Sequence, residues 1–357
     1  MERTTVSPSI IDQVSKSFRF YANTIYPGRS PLYVDLATRV AEDPDLLKIA
    51  AQASEKNALP NLFFAAVHFL LLQGEHHQLS AFYPSLNNVT RHYEYVYPYF
   101  RSFVFDHELE IRGIIATRSV QTNEVARCAM LVPAFELVSR QSGKRPLALL
   151  EIGSSAGLTL LWDQYHYRYD GGLECGPSNS LVQIECELRG PHRPPVPHDL
   201  PEIKWRRGID LNPVDLNDPE NVLWLRALVW PEHRRRDRQL EQAIEIAKMD
   251  PPKIVRGDAL EILPDLIAQI GRDLQLCVYH SFTLSLASKE PRDRLESILA
   301  QSSEKRNIYW ISFEWAKDQE TPLLELVRFE HTVKKERKLA RAQPHGEWLE
   351  WIERFPG

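Results

Sequence analysis

LALLEIGSSAGL, residues 147–158, decides how the rest of this chain is read. Six residues of strand composition run into Gly153 and Gly157, and the letters GSSAG between them admit two chemistries. They satisfy G-x-S-x-G, which would offer Ser155 as a nucleophile on a tight strand-to-helix turn. They equally satisfy an acidic-x-Gly-x-x-x-Gly loop, which brings backbone N–H groups close to a ligand at a helix N-terminus. A glycine motif this short cannot choose between them, so the flanking sequence must.

Residues 1 to about 143 carry helix punctuation: Ser30-Pro31, Asp43-Pro44 and Pro60-Asn61 each open an apolar-periodic segment. From about 146 the texture alternates. Short apolar strands LALLEI, IVRGDA, LQLCVYH and NIYWISFEW are separated by helical periods such as RQLEQAIEIAK and RDRLESILAQ. That alternation predicts an α/β fold with a doubly wound parallel sheet. LLELVRFEHTVKKERKLARA reads as two strands across a charged turn, an antiparallel hairpin added to one sheet edge. The expected organisation is a helical N-terminal domain over 1–143, forming a lid or part of the substrate cavity, followed by an α/β domain over 144–357.

Composition narrows the partners. The chain has 357 residues, 43% hydrophobic and 25% charged, with a formal net charge of −5 that gives no bulk attraction to nucleic acid or to an anionic membrane. MERTTVSPSIIDQV has neither a basic start nor an apolar core of leader length, and the longest apolar run, LFFAAVHFLLL at 62–72, is shorter than the ~18 residues of a membrane span. A cytoplasmic protein with no nucleic-acid or membrane partner is expected. Cys128, Cys175, Cys186 and Cys277 lack the spacing of a metal site, and no metal is expected.

The surroundings of GSSAG then separate its two readings. A hydrolase elbow follows several strands and an oxyanion loop, whereas the preceding 140 residues read as helical and contain no such loop. A dinucleotide fingerprint would need Gly at Ser155, and a P-loop would need Lys-Ser/Thr after Gly157. What remains is Glu151 at a strand end, Gly153 for the tight turn and Gly157 opening a helix. Loop amides suit a carboxylate and the neighbouring acid suits an ammonium group. A ligand with both is an amino acid.

At these residues the chain resembles the class I S-adenosylmethionine-dependent methyltransferases, and the resemblance continues in order. IKWRRGIDLNP resembles the second strand, which carries Asp210, with Asn212 beside it, over to the cofactor ribose. IVRGDALEILPDL is similar to the third, placing Asp258 and Ala259 by the adenine, and LQLCVYHSF looks like the fourth, whose end at His280 and Ser281 would face the methyl group. Glu151, Gly153, Ser154, Ser155 and Gly157 would hold the amino-acid part. The fold implied is a Rossmann-like methyltransferase sheet, mostly parallel, with the C-terminal antiparallel hairpin. The chain as a whole is similar to a bacterial family carried as domain of unknown function 2332, in SPLYVDLATRVAEDPDL, TRSVQTNEVARCA, EIGSSAGLTLLWDQYHYRY and RGIDLNPVDL; that resemblance implies architecture and no substrate. About fifty residues separate Gly157 from Asp210, where roughly twenty is usual. The excess, with Tyr165, Tyr167 and Tyr169 in alternation, reads as an inserted hairpin at about 165–201.

TRSVQTNEVARCAM, at 117–130, precedes the first strand, where this class places a helix partly covering the cofactor. Arg118, Gln121, Asn123, Glu124 and Arg127, with Tyr165 from the insertion, are the candidate lid or substrate contacts. Plainer roles stand beside each assignment. Glu151 could pair with a base, Asp210 could close an Asx-turn, Asp258 could cap a helix, and His280 could be structural. Arg234, Arg235, Arg236 and Arg238 suit a solvated helix face, and the aromatics of YEYVYPYFRSFVF suit a core. The expected function is S-adenosylmethionine-dependent methylation of a small molecule, with His280 as general base for a hydroxyl or acid acceptor. The absence of an Asp/Asn-Pro-Pro-aromatic run after the fourth strand argues against the nucleic-acid and glutamine N-methylating groups. The alternatives are a serine hydrolase using Ser155 with His280 or His345, and a non-catalytic S-adenosylmethionine-binding protein.

Overall fold

The computed structural model describes residues 7–53, 58–89, 91–121, 123–284, 289–315 and 320–353. The chain divides into two compact units, Met1–Thr122 with Asp218–Arg238, and Asn123–Asn217 with Gln239–Gly357.

The first unit is helical. Its helices begin where the punctuation places them: Ser30 accepts the Tyr33 amide ahead of Pro31–Val40, and Asp43 accepts those of Asp45 and Leu46 ahead of Pro44–Ala50. In both, proline occupies the first turn, where its missing N–H costs nothing. Helix Leu59–Leu72 is apolar on every side and correspondingly buried, Asn61 and Leu72 excepted. Its one other polar side chain, His68, sets Nδ1 3.0 Å from the Ala227 carbonyl and Nε2 2.8 Å from Ser85 Oγ, and burial pushes its pKa down to about 4. The late segment of this unit packs into the same core. Trp224 lies edge-on to Phe69 and donates its indole N–H to the Ser119 carbonyl, and Trp230 lies edge-on to Tyr26. The arginine cluster is not simply a solvated face: Arg234 donates to the Pro84 carbonyl and Asn88 Oδ1, and Arg236 to His233.

The second unit is built on eleven strands: β1 (Leu147–Ile152), β2 (His166–Tyr169), β3 (Leu173–Cys175), β4 (Gln183–Arg189), β5 (Ile203–Asp210), β6 (Ile254–Arg256), β7 (Gln275–Ser281), β8 (Ile308–Glu314), β9 (Leu323–Glu330), β10 (Val333–Ala342) and β11 (Trp348–Trp351). They form one sheet in the order β3-β2-β4-β11-β10-β9-β8-β7-β1-β5-β6. The five from β6 to β8 are parallel neighbours. β1 and β8 are buried at every position, as strands covered on both faces must be. Helices Ala259–Gln269 and Lys289–Ser302 bury Leu263, Leu295 and Leu299 with Leu276, Val278 and Trp310 on one face. On the other, Phe135 of helix Cys128–Gln141 meets Tyr279 edge-on and stacks on Trp162.

Two expectations change here. The hairpin β9–β10 is antiparallel, but it is not a sheet edge: β11 pairs with the far side of β10, and β4 with β11. The outer hydrogen-bonding edge of β10 is thereby covered over its last residues rather than left open. The insertion adds more than a hairpin. β2 and β3 turn back across Gly171 and Gly172, both at positive φ, and β4 then returns parallel to β2 and carries the pair onto the sheet. No described helix is long and apolar enough to cross a membrane.

Candidate functional site

Parallel register brings Glu151 level with Gly208 of β5 and Tyr279 of β7, so the carboxyl ends of these strands lie side by side. From β1 the chain builds outward through β5 and β6, then returns to β7 on the opposite side. Such a reversal of strand order leaves a crevice beyond the strand ends. A cavity of about 320 Å³ occupies it, which is within the size range of small-molecule sites. Its floor is Ile152, Ile209 and Asp210; Gly257, Asp258 and Ala259 close one side, and Thr283 and Leu284 the other. Leu211, two-thirds exposed, stands at the lining next to Asp210.

Asp210 uses both oxygens on backbone amides. Oδ2 accepts the Ser155 amide at 2.7 Å and Oδ1 that of Asn212 at 2.7 Å, so the Asx-turn forms and Asp210 lines the cavity as well. A carboxylate oxygen retains acceptor capacity after one such bond. Asp258 likewise does two things: it accepts the Leu260 amide as helix cap and contributes to the wall, with Ala259 beside it. Asn212 is exposed and does not line the cavity.

The glycine loop differs from expectation. Gly153 and Ser154 both donate their amides to the Ile209 carbonyl, Ser155 donates to Asp210, Ala156 to Asn123 Oδ1 at 3.2 Å, and Gly157 to the Ser154 carbonyl at 2.7 Å. Ser155 is held at φ 50°, a strained value for a residue with a side chain, and its Oγ accepts from Asn123 Nδ2 at 3.0 Å. Beyond Gly157 the chain winds into a tight 3₁₀ segment, Leu158–Gln164, kinked at Leu161, and not into an α-helix. The expected cradle of amides at a helix N-terminus is therefore not presented. Gly153 is required for another reason. At φ 71° it packs so closely on the loop after β7 that a Cβ would fall 2.6 Å from Thr283 Cγ2.

Glu151 lies beneath this loop and away from the cavity lining, accepting from the Thr159 hydroxyl and, at 3.2 Å, from Tyr279. Burial pushes its pKa up to about 8, and the Asp210 charge acts in the same direction.

His280 is not part of the cavity lining. Along β7 side chains alternate, so His280 shares a face with Leu276 and Val278, is fully buried against Trp310, and places Nδ1 2.7 Å from Glu314 Oε1. Ser281 points to the opposite face, where Arg127 Nη1 lies 3.4 Å from its Oγ. Arg127 also donates to the Pro344 carbonyl and covers the Phe282 ring at 4.5 Å. Glu124 is buried facing His345 Nδ1 at 3.2 Å. Tyr165 is a core residue whose hydroxyl donates to the Leu158 carbonyl, because alternation turns Tyr165, Tyr167 and Tyr169 inward together. Arg118 belongs to the helical unit, where it pairs with Glu220 and lies over the Phe69 and Trp224 rings; Gln121 is part of the same unit.

Sequence reasoning brings together Gly153, Asp210, Asp258 and Ala259 at the cavity, with Ser155 and Asn123 braced behind them. It misses Thr283, Leu284 and Glu314. Glu314 ends a fully buried strand, IYWISFE, that is apolar before it except at Ser312, a signal like the one that drew attention to Glu151. Among the described residues no three His, Cys, Asp or Glu side chains gather as metal ligands.

The chain belongs to the family described as an uncharacterized protein conserved in bacteria (DUF2332), whose model matches residues 15–351. No curated protein matches it. Among solved structures it is similar to the bifunctional kinase-methyltransferase WbdD, with 14% identity and a TM-score of 0.23. The match covers 55% of this chain and 30% of that one, and at that score it carries no argument about chemistry.

Proposed function

We propose that the sheet unit is a Rossmann-like methyltransferase domain that binds S-adenosylmethionine and serves a small-molecule acceptor. The observation that supports this reading is the cavity beyond β1, β5 and β6, with Asp210 and Asp258 in its wall. Ribose hydroxyls are donors, and the carboxylate of Asp210 keeps acceptor capacity for them. Leu211, Leu260 and Ile209 offer the apolar surface that a purine ring requires. When bound, S-adenosylmethionine supplies a methyl group on an already activated sulfonium. The work left to the protein is to hold the reacting groups in line and to keep water out. His280 is not assigned as the base, since its ring is fully buried and lies outside the cavity lining.

The test is calorimetry and thermal unfolding with S-adenosylhomocysteine, using NAD as control. Ligand at one hundred times its Kd should stabilise the fold by about 2.7 kcal/mol. No binding at millimolar S-adenosylhomocysteine would remove the reading. Labelling of Ser155 by a fluorophosphonate would replace it with the hydrolase.

A further inference from the structure

The groups that would grip an amino-acid moiety beside this cavity are already committed to the protein. Every amide from Gly153 to Gly157 has an acceptor within the chain: the Ile209 carbonyl takes two, and Asp210, Asn123 and Ser154 take one each. A carboxylate arriving at that loop must displace one protein acceptor for each N–H it takes. Leu158–Gln164 is two short 3₁₀ turns joined across a kink at Leu161, so no aligned helix dipole favours the exchange. Glu151 offers little to an ammonium group. It is covered by Thr159 and Tyr279, and with its pKa at about 8 it is mostly uncharged at neutral pH. The other end of the cavity is different. Asp210, Leu211, Asp258 and Leu260 line the space itself, and the carboxylates accept backbone amides there, Asp210 those of Ser155 and Asn212 and Asp258 that of Leu260, which leaves them further acceptor capacity.

Resting on the reading above that the cavity takes a cofactor of this type, we infer that it recognises an adenine nucleoside through base and ribose alone. The amino-acid part of the ligand adds little to affinity. The ligand class is then the purine nucleoside 5′-thioether, with or without an amino-acid tail.

Calorimetry on the full chain with two ligands tests this: S-adenosylhomocysteine, and 5′-methylthioadenosine, which keeps the nucleoside and the sulfur and lacks the amino acid. Two hydrogen bonds to a charged carboxylate, at roughly 1.5–3 kcal/mol each, would separate the two ligands by more than about 100-fold. The expected ratio is below about tenfold, with Asp210→Ala weakening both by the same factor. A preference for S-adenosylhomocysteine above about tenfold overturns the inference and leaves the methyltransferase reading standing. Binding of neither ligand overturns both.

Discussion

Glu314 Oε1 lies 2.7 Å from His280 Nδ1, and the same oxygen accepts the amides of Thr283 at 2.8 Å and Leu284 at 3.0 Å. One buried oxygen thus fixes the loop that closes one side of the cavity. Phe282, between Ser281 and Thr283, sits at φ 53°, a conformation that an unsupported loop would abandon. Glu314→Ala leaves these donors buried and unpaired. The expected loss is about 3–5 kcal/mol of stability by urea unfolding, accompanied by loss of nucleoside binding. A variant as stable as the parent would show that the loop does not depend on Glu314.

Asp210 joins the β1 loop to the β5 loop through Ser155 and Asn212, and it lines the cavity. Asp210→Ala should weaken S-adenosylhomocysteine binding by about 10- to 150-fold, the value of one hydrogen bond to a charged group. Equal affinity in parent and variant, measured by calorimetry, would place the ligand elsewhere.

Glu151 makes stability depend on pH. Its folded-state pKa, about 8, lies above the ordinary carboxylate value of 4.5. Between those values the unfolded chain has released a proton that the folded chain keeps. Stability therefore falls as pH rises across this window, by up to about 1.4 kcal/mol per pH unit from this group. Glu151→Gln removes the proton and should flatten the profile, gaining most on the parent near pH 8. Urea midpoints at pH 5, 6.5 and 8 measure it, and parallel profiles would contradict the assignment.

Gly153 and Gly28 have nearly the same φ, 71° and 73°, but a Cβ at Gly28 meets nothing within 4 Å whereas one at Gly153 strikes Thr283. Gly28→Ala should cost only the left-handed conformation, about 1–2 kcal/mol. Gly153→Ala should add the overpacking cost of about 1–3 kcal/mol and reduce ligand affinity. Similar thermal shifts for the two would mean that Thr283 yields freely.

The parallel strands β1, β7 and β8 are legible in the sequence because burial on both faces leaves apolar runs with little alternation, broken by helical periods, whereas the half-exposed β5, with Lys204, Arg206 and Arg207, could be reached only through the resemblance. The position of β10 inside the sheet is not legible, since it depends on pairing with β11, and through it with a strand more than a hundred residues earlier. At the site, Asp210, Asp258 and Gly153 could be found because strand ends and glycines are local signals. The burial of His280 could have been read from parity: counting back in twos from it gives Val278 and Leu276, both core residues. The state of the glycine loop could not be read locally, because its amides are taken by Ile209, Asp210 and Asn123, some 30 to 55 positions away in the chain.

The helical unit reclaims Asp218–Arg238 from the middle of the chain, and this constrains how the gene can be cut. A shortened clone starting at Asn123 would keep Trp224 and Trp230 and discard Phe69 and Tyr26, against which their rings pack. Such a fragment would carry sticky aromatic surface and tend to precipitate. To express the sheet unit alone, residues 218–238 must be excised as well and a short linker spliced between Asn217 and Gln239.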